Sequence, residues 1–303
     1  MDLIKVVMPA AGLDTSFLPI TKVLPREMLP ILEKPALQYV LEEALSSQVN
    51  NILMVTGRGK HVVADFFEKC FTLHSLLPSD RKHLLAGIDK ILDGVGFSYF
   101  YQQEALGSGH AVWLARHAIH KEYFGVMMPD DIIVSKVPAL EQLIKIARQE
   151  KASVIAVQEV PTSCVSKYGI IKIRKQITPN LFQLSGLVEK PRPKDAPSNI
   201  AVVGRYVLSP KIFTALDDMV KFEGEFGLTN AIDQMIRSGE RVFAYKVQGL
   251  RYDVGSPIGL IKATIGMALQ DPRYSGQVKQ FLKEIDTPES YLYQPSKIIE
   301  HLL

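Results

Sequence analysis

The chain has few cysteines and no strong excess of charge of either sign. Only two of its 303 residues are cysteine, Cys70 and Cys164, and they are too far apart for a CxxC or zinc-binding spacing. We therefore expect free, reduced thiols. The formal net charge is +3, and no dense Lys/Arg run with interleaved aromatic residues is present. Nucleic acid is therefore not an expected partner.

The sequence also lacks the features of membrane and exported proteins. No apolar run is long enough to span a bilayer. The opening residues MDLIKVV lack the layout of a signal peptide. We expect a cytoplasmic protein with no membrane partner. The histidines form no metal-ligand pattern, since His117 and His120 are helix neighbours without a third ligand.

Strand and helix signals alternate along most of the chain. Apolar runs at residues 3–8, 52–55 and 124–128 predict buried strands, and residues 35–47 and 140–151 have the spacing of helices. This alternation predicts an α/β fold with a Rossmann-like, mixed and mostly parallel sheet flanked by helices. Ligands of such sheets bind beyond the carboxyl ends of the strands, so the loops after Met8, Tyr101 and Met128 are candidate site loops.

The second half departs from simple alternation. Two β-like runs surround Thr178-Pro179-Asn180 and predict a hairpin or a small side sheet. The residues after Pro257 have helical spacing. We therefore expect one Rossmann-like domain over residues 1–256, with a β insert at about 160–190. Residues 257–303 are expected to form a C-terminal helical tail that packs on the main domain or lies at a subunit interface.

Residues 6–35 carry the most specific pattern. An apolar run is followed at its end by the small residues Ala10, Ala11 and Gly12. Small residues let backbone N–H groups approach an anion closely, as in many phosphate sites. Thr21-Lys22 and then Pro25-Arg26-Glu27-Met28-Leu29-Pro30 follow. This order resembles the opening signature of sugar-1-phosphate nucleotidylyltransferases, in particular the bacterial UTP–glucose-1-phosphate uridylyltransferase family.

The resemblance implies roles for this first block. The loop backbone and the acidic residue before Met-Leu-Pro are expected to bind the nucleotide, through Ala10, Ala11, Gly12, Leu13 and Glu27. Lys22 is expected to add positive charge near the phosphates. A plainer alternative for the adjacent Arg26 and Glu27 is an exposed ion pair of little energetic weight.

A later segment, Tyr101-Gln102-Gln103-Glu104-Ala105-Leu106-Gly107-Ser108-Gly109-His110-Ala111, resembles the family's base- and ribose-binding block. A glutamine amide can pair with both the donor and the acceptors of a uracil edge. We therefore predict that Gln103, Gly109 and His110 contact the nucleotide. The alternative is a glycine-rich turn that merely begins the next helix.

Two acidic motifs are candidates for a metal site. Pro129-Asp130-Asp131 follows a buried strand, and Tyr252-Asp253-Val254-Gly255 resembles the second acidic motif of the family. Mg²⁺ takes one or two protein carboxylates and keeps several waters. The resemblance points to Asp130 and Asp253 as ligands, whereas Asp131 is expected to be structural. Capping a helix or closing a turn is the ordinary alternative role of such aspartates.

Three further blocks resemble the sugar-binding segments of the family. In Glu189-Lys190-Pro191 the resemblance places the lysine at the sugar phosphate, where an ammonium acts as a point charge. The implied sugar-binding residues are Glu189, Lys190, Gly204 and Glu225. The last block departs from the family pattern, because Gly227 replaces a glutamine and Asn230 an aspartate.

Residues 12–16 also depart from the family pattern. The family reads Gly-Leu-Gly-Thr-Arg, and this chain has Asp14 for the second glycine and Ser16 for the arginine. Loss of a cation that meets the leaving pyrophosphate can cost several powers of ten in rate. A carboxylate near a triphosphate is repelled by roughly 1 kcal/mol or more.

The resemblance thus implies a Mg²⁺-dependent enzyme that makes UDP-glucose from UTP and glucose 1-phosphate. Its catalytic residues are predicted to be Lys22, Asp130, Lys190 and Asp253. A homo-oligomer, dimer or tetramer, is expected. Two alternatives stay open: a weakly active or non-catalytic regulatory subunit that keeps the pocket, and a nucleotidylyltransferase for another sugar phosphate.

Overall fold

The computed structural model describes residues 5–13, 15–69, 71–220 and 226–285. Asp14, Cys70 and Glu225 lie outside the described residues, as do residues 286–303. The predicted fold class is confirmed: a central mixed sheet is flanked by helices, with small side sheets. The described strands are β1 (Lys5–Pro9), β2 (Pro30–Ile31), β3 (Lys34–Pro35), β4 (Asn51–Gly57), β5 (Gly96–Gln102), β6 (Phe124–Met127), β7 (Asp131–Val134), β8 (Ser153–Glu159), β9 (Gly169–Thr178), β10 (Leu181–Glu189), β11 (Ile200–Leu208), β12 (Val242–Lys246) and β13 (Leu250–Asp253).

Helices connect most of these strands, and two of them follow β13. The described α-helices are α1 (Ala36–Ser46), α2 (His61–Phe66), α3 (Phe71–Leu76), α4 (Ala86–Gly94), α5 (Gly107–Leu114), α6 (Arg116–Ile119), α7 (Ala139–Glu150), α8 (Ile212–Val220), α9 (Leu228–Arg237), α10 (Pro257–Gln270) and α11 (Ser275–Ile285). No helix in the described ranges is both long and apolar enough to cross a membrane. The domain boundary at residue 256 and the limits of the insert stay predictions.

The central sheet has nine described strands in the order β5-β4-β1-β6-β11-β8-β12-β10-β9. The pairings show that seven of these strands run in one direction and that β10 and β11 run in the other. The carboxyl ends of the adjacent parallel strands β1 and β6 therefore lie side by side. This arrangement places the loops after Pro9 and Met127 at one edge of the sheet.

The predicted hairpin is present but is not a separate sheet. Its strands β9 and β10 join the central sheet through antiparallel pairing of β10 with β12. A further pairing between Ile170 and Ala201 connects β9 back to β11. The second half of the sheet therefore curls on itself, because β11 is bonded on one side to β8 and touches β9 as well. This curl brings the base of the hairpin to the cleft described below.

A two-stranded side sheet joins the two acidic motifs. Strand β13 pairs antiparallel with β7, with Asp253 opposite Asp131. The backbone N–H of Val254 also donates to the carbonyl of Asp130 at 2.8 Å. These residues are far apart in the sequence, so it is this pairing that makes them neighbours.

The core lies on both faces of the sheet. Val6 and Met8 point to one face and Val7 to the other, as the alternation of a strand requires, and all three are fully buried. Helix α1 packs Leu37, Leu41 and Ala44 onto the first face. Helices α5, α8 and α9 cover the second face.

A fully buried arginine, Arg205 on β11, ties three parts of this core together. Its Nε and Nη2 atoms donate to the carboxylate of Glu43 on α1, at 2.8–3.1 Å. Its Nη1 donates to the carbonyls of Met128 and Gly204, and Nη2 also donates to that of Asp131. All five N–H groups of the guanidinium therefore have acceptors. Removing one partner of such a buried pair usually costs about 3–5 kcal/mol.

We predict that Glu43→Gln lowers the free energy of unfolding by about 3 kcal/mol, because it leaves a buried guanidinium without its counter-charge. Urea unfolding followed by circular dichroism measures the change. The matched control is Glu159→Gln, because the Glu159 side chain is 58% exposed and pairs with Lys246. The control should change the free energy by less than about 0.5 kcal/mol. Equal losses in the two variants would contradict the role assigned to Arg205.

Candidate functional site

A cleft of about 530 Å³ opens at the carboxyl ends of β1, β5 and β6. A second compartment of about 480 Å³ adjoins it and shares part of its wall, including Arg26, Asp130, Tyr168 and Lys190. The cleft lies where the topology of an open α/β sheet predicts a ligand site. Of the residues predicted from the sequence, the two compartments are lined by Ala11, Gly12, Leu13, Asp130, Glu189, Lys190, Gly204 and Asp253.

The first loop lines the cleft with backbone. Ala11, Gly12 and Leu13 are in the wall, and an added Cβ on Gly12 would meet nothing within 4 Å. Ala10 is placed differently: it is buried, and its N–H donates to the carbonyl of Val55 at 2.7 Å. That N–H is therefore already used within the sheet. Ser16 lines the second compartment, and Asp14 lies outside the described residues.

Asp130 and Asp253 face a common point in the second compartment. A Cβ added at Gly255 would lie 3.1 Å from Oδ2 of Asp130 and 3.2 Å from Oδ1 of Asp253. Within the described ranges no group of three His, Cys, Asp or Glu side chains is arranged to hold a metal ion. Two convergent carboxylates are nonetheless the protein's share of a typical Mg²⁺ site, which keeps several waters. The donor set therefore fits the predicted ion.

Arg26 approaches the same carboxylates. Its Nη2 lies 2.9 Å from Oδ2 of Asp130, with about a quarter of each side chain exposed. Desolvation raises the pKa of Asp130, the positive charge of Arg26 opposes this, and Asp131 and Asp253 raise it further. Because three carboxylates lie close together at one edge of the sheet, a nearby positive charge stabilises their ionised forms.

The alternative of an exposed Arg26–Glu27 pair is wrong. Glu27 is 2% exposed and forms an ion pair with Lys60 at 2.9 Å, while Arg26 turns to Asp130. Glu27 does not line either compartment. Lys60 follows β4, so the ion pair connects the segment around Glu27 to the segment after β4. Lys22 is exposed in a short 3₁₀ helix, Ile20–Lys22, and does not line the two compartments either.

Asp131 has the structural contacts expected of it. Its Oδ2 accepts from the backbone N–H of Gly204 at 2.7 Å, and its Oδ1 accepts from Nε of Arg251 at 2.6 Å. A Cβ on Gly204 would lie 2.6 Å from Cβ of Met128, so the close approach of the two backbones requires a glycine. Gly204 lines the second compartment at this contact.

Two residues that sequence reasoning missed hold Asp253. The hydroxyl of Tyr168 donates to its Oδ2 at 3.0 Å, and the guanidinium of Arg251 lies 3.5 Å from the same atom. Burial raises the pKa of Tyr168, so the phenol stays protonated and donates at neutral pH. The only available signal was the position of Arg251 beside the Tyr-Asp-Val-Gly motif. Tyr168 gave no signal, because its pairing depends on the curl of the sheet.

At the other end of the cleft the lining glutamine is Gln102, not Gln103. Gln102 is 4% exposed and lies in the cleft wall, whereas Gln103 is exposed and does not line it. Neighbours in an extended segment point to opposite sides, so choosing one of two consecutive glutamines from sequence required knowing where β5 ends. The Nε2 atom of Gln102 donates to the carbonyl of Gly107 at 3.2 Å and contacts Nδ1 of His110 at 2.8 Å.

Gly109 and His110 lie behind this wall. A Cβ on Gly109 would come within 2.7 Å of the Phe226 ring, and the Gly109 N–H donates to the carbonyl of Phe226 at 3.1 Å. His110 stacks on Trp113 at 5.6 Å between ring centroids. Neither residue lines the cleft. The closely approaching glycine is therefore required for packing, and Gly107 and Ser108 form the wall instead.

One of the expected sugar-binding residues, Glu189, lies against Gly169 together with Thr229. A Cβ at this position would lie 2.9 Å from Oγ1 of Thr229 and 3.2 Å from Oε2 of Glu189. Lys190 lines both compartments and has a left-handed backbone, with φ of 46°. Glu225 lies outside the described residues. The substituted Gly227 and Asn230 do not line either compartment.

Comparison with known proteins identifies the family. A model of the nucleotidyl transferase family matches residues 5–268. A UTP–glucose-1-phosphate uridylyltransferase from Staphylococcus epidermidis is 42% identical over 93% of this chain and 98% of its own. One from Staphylococcus saprophyticus is 40% identical over 94% of this chain and all of its own.

Solved structures agree with this assignment. A UDP-glucose pyrophosphorylase complexed with UDP-glucose is 36% identical, with a TM-score of 0.82 over 89% of this chain and 100% of its own. UTP-bound UGPase from Acinetobacter baumannii is 34% identical, with a TM-score of 0.85 over 94% of this chain and 100% of its own. The chain belongs to the nucleotidyl transferase family, in the group that contains these uridylyltransferases.

Proposed function

We propose that this protein is a UTP–glucose-1-phosphate uridylyltransferase, which makes UDP-glucose and pyrophosphate from UTP and glucose 1-phosphate. The observation that carries the proposal is the combination of groups around the cleft. Gln102 in the cleft wall suits a base, and the backbone of residues 11–13 suits phosphates. Two carboxylates, Asp130 and Asp253, suit a metal ion, and Glu189, Lys190 and Thr229 suit a sugar phosphate. The names of the relatives and of the UDP-glucose complex support the same substrates.

In the proposed reaction a phosphate oxygen of glucose 1-phosphate attacks the α-phosphorus of UTP. A new P–O bond forms in line as the bond to the β-phosphate breaks, and pyrophosphate leaves. Positioning and neutralisation of charge supply the rate, and no covalent enzyme intermediate is needed. Lys190 lines both compartments, and we assign to it the neutralisation of a substrate phosphate. The backbone at residues 11–13 lines the cleft and would face the nucleotide.

Asp130 and Asp253 would hold Mg²⁺, which supplies charge neutralisation on the phosphate oxygens when bound. Tyr168 and Arg251 orient Asp253, and the Arg205 contacts fix the backbone on either side of Asp130. The protein therefore presents its carboxylates on rigid supports.

The choice of glucose 1-phosphate over another sugar phosphate is supported by the names of the relatives and by where the substituted residues lie. The two substitutions that raised the alternative, Gly227 and Asn230, lie outside its wall, whereas Thr229 of the same block is in it. A pyrophosphate-release assay across nucleotides and sugar phosphates tests the choice directly. Turnover that is fastest with a different pair would refute the proposed substrates.

The alternative of a weakly active protein depends on Asp14, which lies outside the described residues, and on Ser16. This residue lines the second compartment without a charge, and Arg26 and Lys167 line the same compartment. Arg26 and Lys167 are therefore candidates for the cation that the family's arginine supplies. Cytoplasmic location and assembly into a dimer or tetramer stay predictions.

We predict that UDP-glucose binds in the cleft whether or not turnover is fast, because the base, sugar and carboxylate groups are in place. Titration calorimetry with UDP-glucose up to about 1 mM, with Mg²⁺, measures the binding. Glu189→Ala should weaken it by about tenfold or more, since Glu189 faces the sugar end. Glu159→Gln, outside the cleft, should leave it unchanged. Absence of heat with folded wild-type protein would refute the proposal.

We predict that Asp130→Asn and Asp253→Asn each lower kcat by at least about 100-fold and weaken Mg²⁺ binding, measured by calorimetry with UDP-glucose present. Their melting temperatures should stay near that of the wild type. Asp131→Asn should act differently and lower the melting temperature, because Asp131 holds Gly204 and Arg251. If Asp131→Asn abolished Mg²⁺ binding without destabilising the fold, the ligand assignment would be wrong.

We predict that Ser16→Arg raises kcat by about tenfold with little change in KM, because a cation near the leaving pyrophosphate acts in the transition state. Steady-state kinetics give both constants. Ser75→Arg, which adds the same charge outside the cleft, serves as control. An unchanged or lower kcat in a folded Ser16→Arg protein would show that the existing cations already meet this need.

A further inference from the structure

The amide of Gln102 is held in one orientation from behind the cleft. Its Nε2 atom lies 3.2 Å from the carbonyl oxygen of Gly107 and 2.8 Å from Nδ1 of His110. An amide nitrogen has two hydrogens, and these two acceptors use both. Turning the amide over would place its oxygen against the Gly107 carbonyl, which repels it.

This orientation leaves the carbonyl oxygen, Oε1, for the cleft. Gln102 is 4% exposed and lines the cleft wall, and within the described ranges no donor contacts Oε1. In the free protein water can donate to this oxygen, and a ligand that displaces the water must supply a donor of its own. The ligand chemistry that fits this point is therefore an N–H donor. Uracil presents N3–H at its pairing edge, whereas cytosine presents a bare N3 that would face Oε1 as a second acceptor.

The contact with His110 requires a neutral ring. Nδ1 accepts from Gln102 only in the tautomer that carries its proton on Nε2. His110 stacks on Trp113 and meets the edge of Phe226 at 5.9 Å between ring centroids. The charged groups that act on it are Arg116 and Glu104. Burial lowers the pKa of His110 and Arg116 lowers it further, while Glu104 opposes them.

We propose that His110 is a positioning residue for base selection: its neutral Nδ1 holds Gln102 so that Oε1 faces the N3–H of a uracil base. The inference rests on the proposed binding of a uridine nucleotide in this cleft. When His110 is protonated, Nδ1–H opposes the Gln102 amide hydrogens. The amide must then turn or lose a bond, and the preference for uracil over cytosine falls.

The first test compares the affinities of UDP-glucose and CDP-glucose, which share the diphosphate and the sugar and differ in the base. The ratio of their dissociation constants cancels effects on the rest of the cleft. His110→Phe keeps a ring against Trp113 and removes the acceptor. We expect this variant to lower the preference for UDP-glucose by about fivefold or more. The control His117→Phe changes an exposed histidine of the adjacent helix and should leave the preference unchanged.

A second test uses wild-type protein and does not depend on the stability of a variant. If uracil binding requires neutral His110, linkage demands that UDP-glucose lower the pKa of His110. CDP-glucose should not lower it. The titration is followed by NMR of the ring protons from pH about 5 to about 8. A role of His110 in packing alone would not produce a shift that depends on the base.

The outcomes separate this inference from the proposed function. Wild-type protein that binds neither nucleotide sugar would refute the proposed function itself. Wild-type protein that prefers UDP-glucose, with the same preference in His110→Phe, would overturn the role of His110 only. That role would also be overturned if UDP-glucose left the pKa of His110 at its value in the free protein.

Discussion

The buried guanidinium of Arg205 is the constraint on which the site depends. A charge in a protein core is costly unless it is paired and its hydrogen-bonding groups are satisfied. Here Glu43 on α1 supplies the counter-charge, and three carbonyls complete the set, one directly after β6, one on the first residue of β7 and one on β11. Because those carbonyls belong to Met128, Asp131 and Gly204, satisfying the arginine fixes the backbone of the acidic motif. The contacts that satisfy the buried arginine in the core thus also set the position of Asp130.

The same loop explains why two adjacent aspartates have different roles. With the backbone fixed on both sides, the Asp131 side chain lies against Gly204 and Arg251, and the Asp130 side chain faces the cleft. The pairing of β13 with β7 then brings Asp253 to the same point. The site is therefore assembled by backbone hydrogen bonds between distant segments. Asp253 ends β13, and Asp130 lies in the short turn between β6 and β7.

Features that depend on residues close together in the sequence could be predicted, and most contacts between distant segments could not. Local periodicity predicted the alternating strands and helices, and the motif order predicted which loops meet. Gln102 was missed because a one-residue shift along a strand reverses the side chain. Arg205 and Tyr168 were missed because their partners lie in other elements. The contact of Arg26 with Asp130 was missed for the same reason, since nearest neighbours in sequence suggested Glu27 instead.

The two ends of the cleft offer different interactions, charge at one end and a directional hydrogen bond at the other. Substitutions are therefore expected to have different effects at the two ends. At the phosphate end charge acts over several ångströms, so Arg26 and Lys167 in the same compartment can replace part of the effect of a cation at position 16. At the base end a single oxygen must point in one direction, and its direction is set by the contacts of Gln102 with Gly107 and His110. A hydrogen bond cannot be replaced by a neighbour at the wrong angle. If the proposed function holds, departures from the family at residues 14–16 are therefore compatible with nucleotide-sugar binding, whereas a change at Gln102 removes the directional contact itself.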